Sequence, residues 1–336
     1  MTTTKAWTYT TPSYPETLNQ TSITVPGIPA PHHLLIEVKA SALNPVDIQM
    51  MNMPTNYLPR LNAPKVAGRD FSGVVLAAAP GTGFSQGDEV MGQTLKFDGS
   101  GTLTEVAHLD TRASCIVKKP AQMSWTQAAA LPLVWLTAYT SIERCAPFMK
   151  NDAGDNRLVV LGGSSATGMY TIRLARERGW DVLASCSARN RDFVIGMGAG
   201  RVADYTSAPD AVKDAVEAYK PHAIIDCVGG TECIGLAPQY VTIVGDKTSR
   251  ASMGGSSLYW TSPRMVLRWF LGYVGLGKSY ECITLDQNAD YLQKATELKG
   301  DEIVIDSVFG FNRADEAFQR LNTGRARGKV VVEVSS

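Results

Sequence analysis

The chain has no excess of charge of either sign: 32 Lys and Arg stand against 32 Asp and Glu in 336 residues, a formal net charge of zero. No long run of like charge occurs either, which removes the usual signatures of a nucleic-acid surface or an acidic tail. Paired cysteines are also missing. The six, Cys115, Cys145, Cys186, Cys227, Cys233 and Cys282, form no C-x-x-C pair, and four sit in apolar surroundings, the pattern of buried reduced thiols. The opening "MTTTKAWTYT" has neither an apolar signal core nor an arginine-rich amphipathic pattern, so a cytoplasmic location is expected. No apolar run is long enough to cross a bilayer. The nearest approach, Ser262 to Gly277, is interrupted by Arg264 and Arg268, and burial in a pocket or subunit interface is expected for it ahead of a membrane surface.

What remains is a soluble globular composition, 44% apolar and 19% charged, in a chain too long for one compact core. Two domains are expected. From Arg157 onward, short β-branched runs at 157–162, 181–186, 201–205, 223–228 and 240–244 alternate with helix-compatible segments. In 167–179, Met169, Ile172 and Ala175 share one face while Arg173, Arg176 and Glu177 share the other. That alternation predicts an α/β domain with a doubly wound parallel sheet.

The first part reads differently. Runs at 33–43, 70–79, 87–93 and 101–109, separated by Pro- and Gly-rich turns, predict a mainly β domain, a partly closed barrel. A helical join follows at 124–143, divided by Pro132. After about Leu285 come a helix, a strand, a helix and a final strand, "GKVVVEV". Periodicity leaves open whether this tail extends the parallel sheet or returns to the β domain.

The stretch "LVVLGGSSATGMYTIRLARERGWDV", Leu158 to Val182, joins strand, small-residue turn and helix. Laid over G-x-G-x-x-G it places Gly163 first, Ser165 in place of the second glycine and Gly168 third. Such a turn bends tightly, lets phosphates approach the backbone and packs the helix close to the strand, while the helix N-terminus favours an anion. The hydroxyls of Ser164, Ser165 and Thr167 stand where phosphates would lie. The plain alternative, a small-residue turn without a ligand, loses ground because this turn opens the first crossover of the doubly wound domain.

About twenty residues on, the acidic residue that normally binds the adenosine ribose is absent. The next strand ends in Ser185 and Ser187, followed by Arg189 and Arg191. A carboxylate would repel a 2′-phosphate, whereas serines and a guanidinium would bind it, so NADPH is expected over NADH. Tyr205, ending the third strand, is placed to close the same pocket. Arg189 and Arg191 also fit a solvated helix start, and Tyr205 an ordinary strand terminus.

With these motifs in order, the sequence resembles the medium-chain dehydrogenase/reductase superfamily, and most of all its zinc-free quinone oxidoreductase and fungal trans-acting enoyl reductase branches. The resemblance rests on "ASALNPVDIQM", "VAGRDFSGVV", "GFSQGDEVMG", "AAALPLVWLTAYTSI", "LGGSSATG", "CSARN", "GAGRVADYTS", "IIDCVGG" and "ARGKVVVEV", in family order almost end to end. It implies a GroES-like β-barrel domain over 1–122, completed by 286–336, and a Rossmann NADP-binding domain over 123–285, with substrate entering between them. By the same correspondence Ser164, Ser165, Ala166 and Thr167 hold the pyrophosphate and Ser187, Arg189, Asn190 and Tyr205 the 2′-phosphate. Asn44 and Thr137 would lie near the nicotinamide ribose, and Val228, Val244 and Gly245 would line the cofactor.

Departures from the zinc-dependent members are as informative. Those carry a cysteine near the Asn44 position and Gly-His-Glu where this chain has Gly68-Arg69-Asp70, and the four histidines His32, His33, His108 and His222 supply no tetrahedral site at matching positions. The enoyl reductases carry a lysine, and the quinone reductases a tyrosine, near the place of Gln49; Tyr57 is a candidate match to a second tyrosine. The chemistry implied is zinc-independent hydride transfer from NADPH to an electron-poor C=C or a quinone, with Asn44, Tyr57 and amides near Gly245 as candidate donors to the developing enolate. Asp47 reads as a turn-forming acceptor, and Lys329 equally as a cofactor contact or a solvated lysine. A homodimer or a carrier-protein partner is expected, and two alternatives accompany this expectation: an enoyl reductase serving a carrier-bound polyketide, and a cofactor-sensing interaction protein that docks through 262–277.

Overall fold

The computed structural model describes residues 1–10, 14–27, 29–53, 63–96, 98–150, 155–246 and 262–335. The chain folds as two compact units, Met1–Leu136 with Gln287–Ser336, and Thr137–Asp286.

In the first unit β1 (Thr2–Tyr9) pairs antiparallel with β2 (Asn19–Val25) and with the short β4 (Lys65–Val66). The larger sheet is built around β3 (His33–Leu43), which pairs antiparallel with β5 (Asp70–Ala78) and with β7 (Val106–Asp110). It continues through β6 (Glu89–Thr94) to β8 (Ser114–Lys118). Period-two alternation on β3 puts Leu34, Ile36 and Val38 on one face, all fully buried, in one cluster with Phe71, Val90 and Phe318. A short helix, α1 (Pro45–Met51), follows β3.

The tail joins this unit. Strand β15 (Ile305–Gly310) runs parallel to β16 (Lys329–Glu333), which pairs antiparallel with β3. The crossover is α9 (Ala314–Asn322), with Ala314, Ala317 and Phe318 buried at i, i+3 and i+4. Periodicity could not make that choice, because partner strands are set by packing.

The helical join divides at Pro132, as the sequence predicts. Helix α2 (Trp125–Ala129) is capped by Ser124, which accepts the Gln127 amide, and α3 (Pro132–Cys145) begins at the proline, whose missing N–H costs nothing there. The compact units divide within α3, between Leu136 and Thr137, later than the expected 122/123. The reason is local bonding: Ser72 Oγ donates to Trp125 O at 2.7 Å, Leu133 N to Asp70 Oδ1 at 2.8 Å and Trp135 Nε1 to Tyr291 O, in α8 (Ala289–Ala295), at 2.8 Å.

The second unit is the doubly wound domain. Its strands are β9 (Arg157–Leu161), β10 (Asp181–Cys186), β11 (Arg201–Asp204), β12 (Ala223–Asp226), β13 (Gln239–Thr242) and β14 (Ser279–Cys282). All pair in parallel, in the order β11-β10-β9-β12-β13-β14. The order reverses direction between β9 and β12, and ligands of open α/β sheets bind at the carboxyl ends of strands beside such a reversal. Helix α4 (Ala166–Glu177) returns from β9 with Met169, Ile172 and Ala175 fully buried, and α5 (Arg191–Gly196) and α6 (Ala211–Tyr219) make the next two crossovers.

The chain itself covers the 262–277 stretch only in part: α7 (Pro263–Tyr273) packs on β14 and buries Met265, but Leu267, Phe270, Tyr273 and Leu276 are 50–79% exposed. Apolar residues occupy more of the helix circumference than one flat sheet edge can cover. Among the described residues no helix is long and apolar enough to cross a membrane.

Candidate functional site

Beyond β9 the chain bends at Gly162, whose φ of +83° lies in the left-handed region that favours glycine. The sequence alignment assigns this bend to Gly163, one residue later. Gly163 has another reason to be glycine: a Cβ there would lie 2.8 Å from Ala184 Cβ and 3.0 Å from Ile172 Cδ1. Gly168 gives the close approach expected of the third glycine, since an added Cβ would sit 2.3 Å from Gly162 O.

Ser165 is the N-cap of α4. Its Oγ accepts the Gly168 amide at 3.0 Å, and its own amide donates to Gly162 O at 2.9 Å. The first-turn amides of α4, including those of Ala166 and Thr167, have no acceptor within the helix, and the helix field at this end favours an anion. Half-buried Ser164 completes the turn. The strand, the positive-φ bend and the capped helix thus form a cradle that fits a pyrophosphate.

Ser185, near the end of β10, holds this bend: its Oγ accepts the Gly162 amide at 2.9 Å and its carbonyl the Gly163 amide at 2.8 Å. Its hydroxyl is thereby drawn into the turn. Ser187 follows in a single-turn 3-10 helix, Ala188–Asn190, where Asn190 N donates to Ser187 O at 2.9 Å. Ser187 is 7% exposed, Arg189 and Arg191 project into solvent, and Tyr205 stands 57% exposed past the end of β11, beside β10. The structure therefore brings Ser187, Arg189, Asn190 and Tyr205 to neighbouring strand ends. The acid nearby, Asp204, accepts from Thr206 N at 2.8 Å and Thr206 Oγ1 at 2.7 Å on one oxygen, bonds that hold its carboxyl below the usual range.

Across the reversal, Val228 lies over the bend, close enough that a Cβ on Gly162 would be 2.4 Å from Val228 Cγ1. The amides of Val244 and Gly245 donate to Thr242 Oγ1 at 3.2 and 3.0 Å, and Gly245 has a φ of +71°. Sequence reasoning missed Asp226, the buried carboxylate between these turns. Its signal was an acid ending the otherwise apolar "AIID". Thr137, at the start of this unit, is 8% exposed on α3, its carbonyl accepting Ser141 Oγ.

In the first unit Asn44 is 1% exposed and fully engaged. Its Nδ2 donates to Asp70 Oδ2 at 2.9 Å and to Ala42 O at 3.3 Å, and its Oδ1 accepts from Lys329 Nζ at 2.5 Å. Lys329 also pairs with Asp70 Oδ2 at 2.9 Å, the two side chains 2% and 0% exposed. It is a buried cation, the solvated reading of it being wrong. Removing either partner of such a pair typically costs about 3–5 kcal/mol, because the other charge is stranded. Asp47 accepts the Asn44 amide at 2.7 Å, the turn-forming role its spacing predicts, and its other oxygen faces Arg69 Nε across 3.8 Å. Burial pushes its carboxyl up to about 7, against the pull of Arg69. Tyr57 lies outside the described residues. Among those described, no group of three or more His, Cys, Asp or Glu is placed to hold a metal ion.

The chain is similar to known proteins along most of its length. The alcohol dehydrogenase GroES-like domain family matches residues 30–121, and a family described as zinc-binding dehydrogenase matches 197–332. The trans-enoyl reductase pgmF of Aspergillus terreus is 29% identical, the match covering 90% of this chain and 87% of that protein. The mitochondrial NAD(P)H oxidoreductase RTN4IP1 of Mus musculus is 30% identical, covering 92% and 84%. The solved quinone oxidoreductase of Coxiella burnetii superposes with a TM-score of 0.81 at 24% identity, covering 99% of this chain and 100% of that one, which shows the shared fold. A GroES-like unit, a Rossmann unit built on a glycine turn, and relatives matched over most of their length make this chain a member of the medium-chain dehydrogenase/reductase superfamily, a nicotinamide-dependent oxidoreductase.

Proposed function

We propose that the chain is an NADPH-dependent, zinc-independent reductase that delivers hydride to the electron-poor C=C of an enone or to a quinone. The observation that carries this reading is the end of β10. Ser187, Arg189 and Asn190 stand there with Tyr205 beside them, and the carboxylate that usually binds the adenosine ribose at the end of this strand is absent from it. A guanidinium with hydroxyl partners suits a 2′-phosphate, which a free carboxylate would repel.

When bound, NADPH supplies the hydride. The first-turn amides of α4, with Ser164 to Thr167, bind its pyrophosphate. Val228, Val244 and Gly245 line its nicotinamide end, and Thr137 serves near the ribose. Oxygen charge developing on the substrate needs a donor in a dry site. The amides of Val244 and Gly245 are spent on Thr242, and Asn44 is spent on Asp70 and Ala42, so that task falls to Tyr57 or to water. Asn44 instead holds Asp70 and Lys329 within the first unit.

Zinc independence rests on the chemistry of those residues. The side-chain oxygens of Asn44 and Asp70 already converge on the ammonium of Lys329, and a second cation there would be repelled. The test is NADPH oxidation by a panel of small enones and quinones, with metal chelator present and absent. Chelator-insensitive turnover is expected. Tight NADPH binding without turnover across the panel would count against the reading. A second reading, reduction of carrier-bound enoyl chains, is favoured by the likeness to the protein named trans-enoyl reductase, and activity on tethered but not free enones would select it. The docking reading rests on the exposed face of α7, and brisk turnover of free enones would remove it.

A further inference from the structure

We infer that Asp226 is the positioning residue for the nicotinamide half of the cofactor: one carboxylate sets both turns beyond the sheet reversal. The inference rests on the NADP-binding reading and adds a residue to it.

Asp226 ends β12 and has no solvent exposure. Its Oδ1 accepts the amides of Val228 and Gly229 at 2.9 and 2.8 Å. Its Oδ2 accepts the hydroxyl of Thr242, on the neighbouring strand β13, at 2.8 Å. A threonine hydroxyl has one proton and two lone pairs. Here the proton goes to Asp226 and the oxygen receives the amides of Val244 and Gly245. Four backbone amides from two separate turns are therefore aimed by a single side chain, two directly and two through Thr242.

Those turns need aiming. Gly229, Gly230 and Gly245 have φ of 89°, 114° and 71°, where backbone freedom is greatest and an unrestrained loop would sample many states. Val228, 53% exposed, is held over Gly162. Burial of the carboxylate raises its pKa while its amide and hydroxyl donors pull it down. Seating an acid here is costly. An apolar side chain would fill the same space more cheaply but could not accept amides.

The polarity of the network makes it testable. In Asp226→Asn one acceptor oxygen becomes a donor, which must oppose either the two amides or the Thr242 hydroxyl, with almost no change in volume. The probes are NADPH and adenosine 2′,5′-bisphosphate, which carries the 2′-phosphate and lacks nicotinamide, with dissociation constants measured by calorimetry. Asp226→Asn and Thr242→Val should each weaken NADPH about tenfold or more, a loss near 1.4 kcal/mol, while the bisphosphate changes less than about twofold. Thr242→Ser keeps the hydroxyl and should bind both ligands like the parent protein. NADPH binding unchanged, or both ligands weakened alike, would overturn the inference. Should Asp226→Asn fail to fold, the Thr242 pair decides the matter by the same criteria. A parent protein that binds neither ligand defeats the NADP reading itself, and this inference with it.

Discussion

Ser185 accepts two consecutive amides of the glycine turn, that of Gly162 on its hydroxyl oxygen at 2.9 Å and that of Gly163 on its carbonyl at 2.8 Å. The end of β10 is thereby tied to the bend after β9. A serine whose spacing suggests a place at the 2′-phosphate edge instead shapes the pyrophosphate turn, and the two roles have different consequences for cofactor choice.

Ser185→Ala removes the acceptor for the Gly162 amide and leaves that amide unpaired, a loss of about 1–2 kcal/mol. The unfolding midpoint should fall, and NADPH and NADH should weaken by a similar, few-fold factor, because both carry the pyrophosphate. Calorimetry with each cofactor reads this directly. A loss confined to NADPH would move Ser185 to the 2′-phosphate after all.

Arg189→Ala should behave in the opposite way. Its guanidinium is exposed, so removing it costs the fold little, whereas a charge-assisted bond to phosphate contributes on the order of 1.5–3 kcal/mol. NADPH should weaken roughly ten- to a hundredfold and NADH hardly at all. Equal weakening of both cofactors would remove the 2′-phosphate assignment of Arg189.

The contrast between these two residues shows what a sequence can convey. Strands β9 to β13, the buried face of α4 and the break at Pro132 are legible because local pattern dictates them: apolar runs of strand length, a 3.6-residue period and a ring without an N–H. The short polar strand β14, "SYEC", carries no such pattern and exists because β13 offers an edge. In "GGS" either glycine suits a bend, and only the folded register shows that Gly162 takes the positive φ while Gly163 meets Ala184. Lys329 looks solvated because the partners that permit its burial, Asn44 and Asp70, are 285 and 259 residues away in sequence. Asp226 escaped notice for the same reason, its value residing in amides of two turns that meet only in the sheet.

Asp47 permits a prediction in pH. Its carboxyl is pushed up to about 7 in the folded chain, burial outweighing the attraction of Arg69, whereas an unfolded chain releases the proton near pH 4. Between these values the folded state binds more protons than the unfolded one, so this group favours folding most at low pH. That contribution declines as pH rises from about 4 to about 7, by at most about 1.4 kcal/mol per unit, and is constant above. Asp47→Asn cannot titrate, and because the nearby Asp70 carboxylate adds to the rise at Asp47, the difference between the two proteins reads this coupled pair. Urea unfolding of parent and variant at a series of pH values should therefore show the parent losing stability relative to Asp47→Asn across that interval, and a level difference beyond it. A difference that stays level from pH 4 upward would mean that Arg69, 3.8 Å away, keeps the carboxylate charged throughout.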